Sequence, residues 1–115
     1  MAQPTLSNDP AYQLLLSEPI DGFNLKKKSL DLSNLAGKRY QGLDLRKLDA
    51  DGLDLSDSHF RNADLRGIDF RQTNLEGSSF AGAKISGCYF PKNLSPAEIT
   101  MSVDKGTRVR YSTAS

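Results

Sequence analysis

Large apolar residues recur every five positions between residues 44 and 90. The fives 63–67, 68–72 and 73–77 carry Leu65, Phe70 and Leu75 at their centres. Neither an α-helix nor a flat strand keeps residues five apart on one face, because their side-chain periods are 3.6 and 2. A chain that bends equally after every five residues points each central residue at a common axis. The pattern therefore predicts a solenoid of stacked coils.

The residue two positions before each centre shares its strand face and should also point inward. These positions are mostly small or apolar, and glycine closes several fives, as a repeated tight corner needs. Central residues twenty apart are chemically alike and should stack in vertical columns. The columns are Leu35, Leu55 and Leu75; Tyr40, Phe60 and Phe80; Leu25, Leu45, Leu65 and Ile85; Leu30, Ala50, Phe70 and Phe90. In the last column, Leu48 should compensate for the small Ala50.

The five Ala63-Asp64-Leu65-Arg66-Gly67 fits the motif Ala-(Asp/Asn)-Leu-x-x, and the pattern from Phe23 to Lys92 closely resembles the pentapeptide-repeat family. The resemblance implies an all-β fold, a right-handed quadrilateral β-helix. Fourteen fives between these residues give about three and a half coils at four fives per coil. The first fives are the least regular, because Lys28 and Lys38 occupy slots that should face inward.

Both ends of the chain are predicted to cap the solenoid with short helices, all within one domain. Residues 1–22 form an N-terminal capping segment, in which Met1 to Ser7 are loosely packed or disordered. Asp9 caps a helix that begins at Pro10 and ends before Pro19. Residues 23–92 form the pentapeptide-repeat β-helix.

Residues 93–115 form a C-terminal helix and tail. A capping box of Ser95 and Glu98 predicts a helix from about Pro96 to Lys105 that stops at Gly106. Ile99 and Val103 lie one turn apart and should dock on the last coil. Thr107 to Ser115 is either an arm or a disordered tail.

Composition narrows the range of functions. The 115 residues carry a formal net charge of +1 and one cysteine. No strong bias toward nucleic acid or acidic lipid follows, and no internal disulfide can form. A signal-peptide pattern and a membrane-length apolar run are both missing from the sequence. A soluble cytoplasmic protein without a membrane partner is expected.

No converging catalytic set is recognisable. Asp57, Ser58 and His59 are consecutive, so alternation along a strand sends them to opposite sides. Cys88 occupies a small inward slot and is predicted to fill the core rather than to react. The acidic run from Asp49 to Asp57 fits a solvated turn better than a calcium loop. We expect no enzyme activity, no cofactor and no metal.

Outward charged residues are the remaining place for function. Asp44 and Asp64 should stack on one side with Arg46 and Arg66 beside them, and Arg61, Arg66 and Arg71 should follow on successive sides. A solvated charge lattice is the alternative interpretation. The candidate protein-interaction surface consists of Asp44, Arg46, Arg61, Asp64, Arg66 and Arg71.

The sequence therefore predicts a non-enzymatic protein–protein interaction or scaffold module with an unidentified protein partner. The alternative, implied by the resemblance, is a gyrase-binding DNA mimic of the fluoroquinolone-resistance type. Mimicry needs a long acidic rod, whereas residues 21–92 carry twelve Lys and Arg against ten Asp and Glu. A homodimer through one end of the solenoid is a further expectation, and direct nucleic-acid binding is not expected.

Overall fold

A computed structural model describes residues 9–17 and 20–112 of the chain. Helix α1 spans Pro10–Leu16, α2 spans Asp21–Lys26, and α3 spans Pro96–Lys105; a 3-10 helix, Lys27–Ser29, follows α2 directly. Within the described part of the chain, β-structure consists of isolated bridges and no longer strand. None of the helices in these ranges has the length and apolar character needed to cross a bilayer.

The bridges join residues twenty positions apart in parallel register. Arg39 pairs with His59, and His59 pairs in turn with Ser79. Backbone hydrogen bonds follow the same register: the Leu45 N–H donates to the Asp64 carbonyl at 3.0 Å, and the Asp64 N–H donates to the Leu43 carbonyl at 2.8 Å. The chain therefore returns onto itself after four fives, which is the hydrogen-bonding pattern of a β-helix solenoid. The expectation of a β-helix solenoid holds in this general form only. The described residues contain isolated bridges in place of the strands of an all-β fold, and three helices, of which α2 overlaps the predicted repeats.

Stacked aromatic rings fill the centre of the repeat. The Tyr40 and Phe60 centroids lie 5.2 Å apart at an interplanar angle of 13°. Phe60 and Phe80 repeat this arrangement at 5.2 Å and 7°. All three side chains are fully buried, so the predicted aromatic column is confirmed. Ala50 and Leu48 are also both buried, as expected for a large residue compensating for a small one.

A left-handed backbone at the fifth position makes the corners of the repeat. Glycine holds this conformation at most corners, for example Gly67 with φ 81°. Three corners use other residues, Lys47 (φ 74°), Asp57 (φ 56°) and Asn62 (φ 58°). Gln72 occupies the same position of its five but has no positive φ, so the backbone conformation of its corner differs from that of the neighbouring corners.

The start of the predicted solenoid is helical. Residues 21–29 form α2 and the 3-10 helix, where the sequence predicts the first fives. Leu25 is 85% exposed, so its predicted place in an inward column is wrong, and Lys28 is exposed as well. The physical reason is that α2 covers the first coil edge through Asn24. Its Nδ2 donates to the Lys47 carbonyl at 2.8 Å, and its Oδ1 accepts from the Asp49 N–H at 2.9 Å.

Helix α1 packs against the outer end of the aromatic column. Asp9 accepts from the Tyr12 N–H at 3.0 Å, which confirms the predicted N-cap. The Tyr12 ring meets the Tyr40 ring edge-on at 5.6 Å, and the Lys38 ammonium lies 5.8 Å from the Tyr12 centroid. The predictions for Met1 to Ser7 and for Pro19 lie outside the described residues.

Helix α3 has the predicted bounds. Ser95 accepts from the Glu98 N–H at 3.2 Å, and Gly106 ends the helix with φ 76°. The buried Ser102 hydroxyl accepts from the Phe80 N–H at 2.8 Å. This hydroxyl supplies a partner that a further coil would otherwise provide. Ile99 is buried and Val103 half-buried against the core, as predicted.

The segment after α3 is an ordered arm as far as Ser112. The Val109 N–H donates to the Ser78 carbonyl, and the Gly77 N–H donates to the Val109 carbonyl, both at 2.8 Å. Arg108 and Ser79 form an antiparallel bridge, in contrast to the parallel bridges within the repeat. Of the two sequence alternatives for this segment, the arm is therefore correct for residues 107–112, while residues 113–115 lie outside the described part.

Candidate interaction surfaces

Aspartate and arginine two residues apart form the same clamp at three places on the surface. In each case the arginine Nε donates to Oδ1 of the aspartate and a terminal nitrogen donates to Oδ2, at distances from 2.7 to 3.0 Å. The local cause is strand alternation, because the residue between them points inward and both charged neighbours point outward. The three clamps are Asp44–Arg46, Asp64–Arg66 and Asp69–Arg71.

Two of the clamps are joined across the repeat into a ladder. Asp44 and Asp64 form a parallel bridge, and Arg46 Nε lies 3.5 Å from Asp64 Oδ2. The hydrogen bond from Arg66 is the largest influence on Asp64 and holds the pKa of its carboxyl well below the usual range. The predicted stacking of these four charged residues is thus confirmed. We call Asp44, Arg46, Asp64 and Arg66 the ion-pair ladder.

Arg71 lies apart from the ladder. Its guanidinium clamps Asp69 and also lies 4.5 Å from the centroid of the Tyr89 ring, which is 57% exposed. The hydrogen bond from Arg71 is the main reason that the pKa of Asp69 falls to about 2. Arg71 is therefore fixed by an ion pair on one side and an aromatic face on the other.

Arg61 lies on a third surface and has no clamp. The position two residues before it holds His59, where the clamped arginines have aspartate. Arg61 instead lines a groove of about 330 Å³ together with Gln41, His59, Ser79, Lys105 and Arg108. The six predicted site residues are thus distributed over three surfaces rather than one.

The groove was not predicted from the sequence, because Lys105 reaches it from the end of α3 and Arg108 from the C-terminal arm that folds back. One signal was available in the sequence: the fives 38–42, 58–62 and 78–82 contain no Asp or Glu.

The thiol of Cys88 and the acidic run, which the sequence offers as candidate chemistry, are held by contacts of their own. Cys88 Sγ donates to the Leu65 carbonyl at 2.9 Å, and burial raises the pKa of its thiol. In the acidic run, Asp49 pairs with Lys27 at 3.0 Å, and the same ammonium donates to the Asp51 carbonyl at 2.6 Å. The first part of this run, Asp49 and Asp51, is therefore held as a turn by Lys27. Among residues 9–17 and 20–112, no cluster of three or more His, Cys, Asp or Glu has the arrangement of a metal site.

Parallel pairing at intervals of twenty residues, a stacked interior and clamped surface charges define a solenoid repeat protein. Residues 54–90 match the family model for pentapeptide repeats, in eight copies. This match confirms, over residues 54–90, the resemblance to the pentapeptide-repeat family seen in the sequence. No curated protein and no solved structure matches the chain in the corresponding comparisons.

Proposed function

We propose that this chain is a non-enzymatic protein-interaction module, in which a rigid repeat presents fixed charged side chains to a protein partner. Pentapeptide-repeat chains are repeat proteins that often serve in protein interaction, and this general class supports the proposal. The proposal includes a cytoplasmic location, with which the single unpaired thiol of Cys88 is compatible.

The proposed architecture is a right-handed, four-sided β-helix with a capping helix at each end. Parallel bridges at intervals of twenty residues support four fives per coil. The fives from 33 to 92 number twelve, which corresponds to about three coils once residues 21–29 are assigned to helices. The contacts of α1 with Tyr40 and of α3 with Phe80 support capping helices.

The observation that carries the proposal is the preorganisation of the ion-pair ladder. Arg46 and Arg66 are each held by two side-chain hydrogen bonds to aspartate, so little side-chain entropy remains to be lost on docking. A guanidinium has five N–H donors, and two of them serve the clamp. The remaining donors face away from the aspartate and are available to carbonyl or carboxylate groups of a partner.

Affinity capture from the native host, followed by chemical cross-linking, tests the proposal. The bait pair is the wild type and the double variant Arg46→Ala/Arg66→Ala, with Arg71→Ala as a control on another surface. We expect a protein that cross-links to wild type and to Arg71→Ala but is lost from the double variant. Equal capture by all three baits, with melting temperatures unchanged, would contradict the role of the ladder.

A homodimer through one end of the solenoid remains part of the proposal. The end nearest Ile85 and Phe90 offers half-buried apolar side chains beside the exposed Tyr89. Sedimentation velocity at micromolar protein would reveal a dimer, and Tyr89→Glu should then shift it toward monomer. A monomeric mass for wild type across that concentration range argues against dimerisation.

No observation on the described residues favours the alternative of a gyrase-binding DNA mimic. DNA mimicry would place carboxylates along the rod, whereas Arg39 and Arg61 lie on one side in fives without carboxylates, and Arg108 of the C-terminal arm joins them there. A gyrase supercoiling assay with a fluoroquinolone discriminates between the two functions. Protection at micromolar protein would favour the alternative over the general scaffold.

A further inference from the structure

On one side of the solenoid, the fives carry basic side chains and no carboxylates of their own. The fives centred on Tyr40, Phe60 and Phe80 contain no Asp or Glu, whereas each other column contains two or three in the same span of the chain. Two further cations reach this side from the C-terminal helix and arm. We call the resulting surface the basic face; it consists of Arg39, His59, Arg61, Lys105 and Arg108.

Backbone register aligns the basic face along the solenoid axis. Arg39 bridges to His59, His59 to Ser79, and Ser79 to Arg108. Bridged residues project to the same side, so these positions form one line. Three steps of about 4.8 Å give this line a length of roughly 14 Å. A line of this length suits an extended chain better than a compact ion.

A groove runs beside this line. Its volume is about 330 Å³, and Ser79 and Ala81 provide small side chains between the longer Arg61, Lys105 and Arg108. Ser79 is only 9% exposed, and its hydroxyl donates to the Gly106 carbonyl at 3.1 Å. The floor is therefore fixed to the end of α3, while the walls are long cationic side chains.

The cations of the basic face are less neutralised than those of the clamps. In each clamp, an aspartate lies two residues before the arginine. At that position Arg39 has Gly37 and Arg61 has His59. Within the described residues, neither guanidinium has a carboxylate within ion-pair distance. Arg108 lies 3.6 Å from Asp57.

Lys105 follows Asp104, and both line the adjoining groove with Arg61. The balance of the basic face is still positive, because two carboxylates stand beside four permanent cations.

We propose that the basic face binds an extended acidic peptide segment of the protein partner. This inference rests on the proposed interaction function and names the chemistry of the partner. Carboxylates spaced along an extended chain match Arg39 and Arg108 on the line of bridged residues and Arg61 beside the groove. Guanidinium groups bind carboxylates through paired hydrogen bonds.

A nucleic acid fits the basic face less well. Base stacking needs accessible aromatic rings, whereas Tyr40, Phe60 and Phe80 are fully buried. The neighbouring fives 53–57 and 73–77 carry Asp54, Asp57 and Glu76, which repel a broad polyanion that overlaps this edge. A narrow peptide avoids these carboxylates by staying in the groove.

Fluorescence anisotropy with a labelled Glu-Ser repeat peptide tests the proposal on the full chain. We expect binding at low salt that weakens as NaCl is added. The variant Arg61→Ala/Lys105→Ala should lose affinity by about tenfold or more. The matched control Lys84→Ala/Lys92→Ala removes the same charge from exposed positions outside the basic face and the ion-pair ladder, and should stay within about twofold of wild type. Thermal melts establish that both variants fold.

Three outcomes would overturn the acidic-peptide assignment. They are the absence of binding by wild type, an equal loss in both double variants, and tighter binding of a single-stranded oligonucleotide of equal charge. Host capture that depends on Arg46 and Arg66 tests the scaffold role separately. It can succeed when the peptide does not bind, so the two failures are distinguishable.

Discussion

The hydroxyl of Tyr12 donates a 2.9 Å hydrogen bond to the backbone carbonyl of Arg39, thereby tying α1 to the first coil. The same ring meets Tyr40 edge-on, so one side chain satisfies a carbonyl at the coil edge and covers the aromatic column. A solenoid whose terminal apolar surface is open to water loses stability and aggregates. The relation of Tyr12 to Arg39 is therefore central to the stability of the N-terminal end.

The two functions of Tyr12 can be separated by substitution. Tyr12→Phe removes the hydrogen bond and should lower the free energy of unfolding by about 1 kcal/mol. Tyr12→Ala also removes the ring and should cost roughly 3–5 kcal/mol. Urea denaturation followed by circular dichroism measures both values. Tyr89→Ala is the matched control, because that ring is exposed, and an equal loss in Tyr89→Ala would remove the capping argument.

The corner at Lys47 offers a stabilising substitution. Lys47 has φ 74°, a left-handed conformation that disfavours a side chain, whereas Gly67 and Gly87 occupy the equivalent corners of later coils. Lys47→Gly should raise the free energy of unfolding by up to about 1 kcal/mol, after allowance for the greater entropy of glycine in the unfolded chain.

The reverse change, Gly67→Ala, should lower stability by a similar amount, since φ there is 81° and an added Cβ meets open space. Differential scanning calorimetry of both variants gives the comparison. A lower melting temperature for Lys47→Gly would show that its side chain contributes more than the strain it imposes.

The Asp69–Arg71 clamp predicts that the free energy of unfolding falls at acid pH. The pKa of Asp69 in the folded chain is about 2, below its ordinary value. A carboxyl with a depressed pKa contributes stability above its unfolded pKa, and loses it as the pH falls toward the folded pKa. Stability attributable to the clamp should therefore disappear between about pH 4 and pH 2.

Urea midpoints measured from neutral pH down to pH 2 test this decline. Asp69→Asn should flatten the decline in that window, and Arg71→Ala should reproduce the flattening, because either change removes the clamp. Concentrated NaCl should reduce the difference between wild type and both variants, since the pair is exposed. Parallel declines at acid pH in all three proteins would assign the effect to other carboxylates.

The interior of the repeat was predictable from the sequence because it depends on spacing alone. Apolar residues five apart are all buried from water only if they face one common axis. This holds for Leu65, Phe70 and Leu75, which are fully buried. The α3 boundaries were predictable because Ser95, Pro96 and Gly106 are local signals. Each of these features is encoded within a few neighbouring residues.

The features that escaped prediction depend on contacts distant in sequence. Leu25 and Lys28 fall on the five-residue grid, yet Asn24 bonds to Lys47 and Asp49 and holds this segment as a helix over the coil edge. The groove beside Arg61 likewise needs the arm to return from residue 106 to residues 77–79. Periodicity carries no information about either contact, because the partners lie 23 to 31 residues away.

The C-terminal arm protects an edge that the solenoid itself leaves open. Val109 is fully buried and exchanges hydrogen bonds with Gly77 and Ser78, and the Tyr111 hydroxyl accepts from the Leu75 N–H at 2.8 Å. Truncation after Gly106 should therefore cost at least about 3 kcal/mol, because it removes one buried side chain and several backbone partners. It should also promote self-association, since the exposed edge can pair with another chain.

Truncation after Ser112 is the matched control, because it removes none of these contacts. Thermal melts and light scattering of the two shortened chains distinguish the arm from a mere tail. Tyr111→Phe refines the comparison: it keeps the ring but leaves the Leu75 N–H without its phenol acceptor, at a cost of about 1–2 kcal/mol. If truncation after Gly106 leaves both the melting temperature and the monomeric mass unchanged, the edge needs no cover, and capping by the arm is refuted.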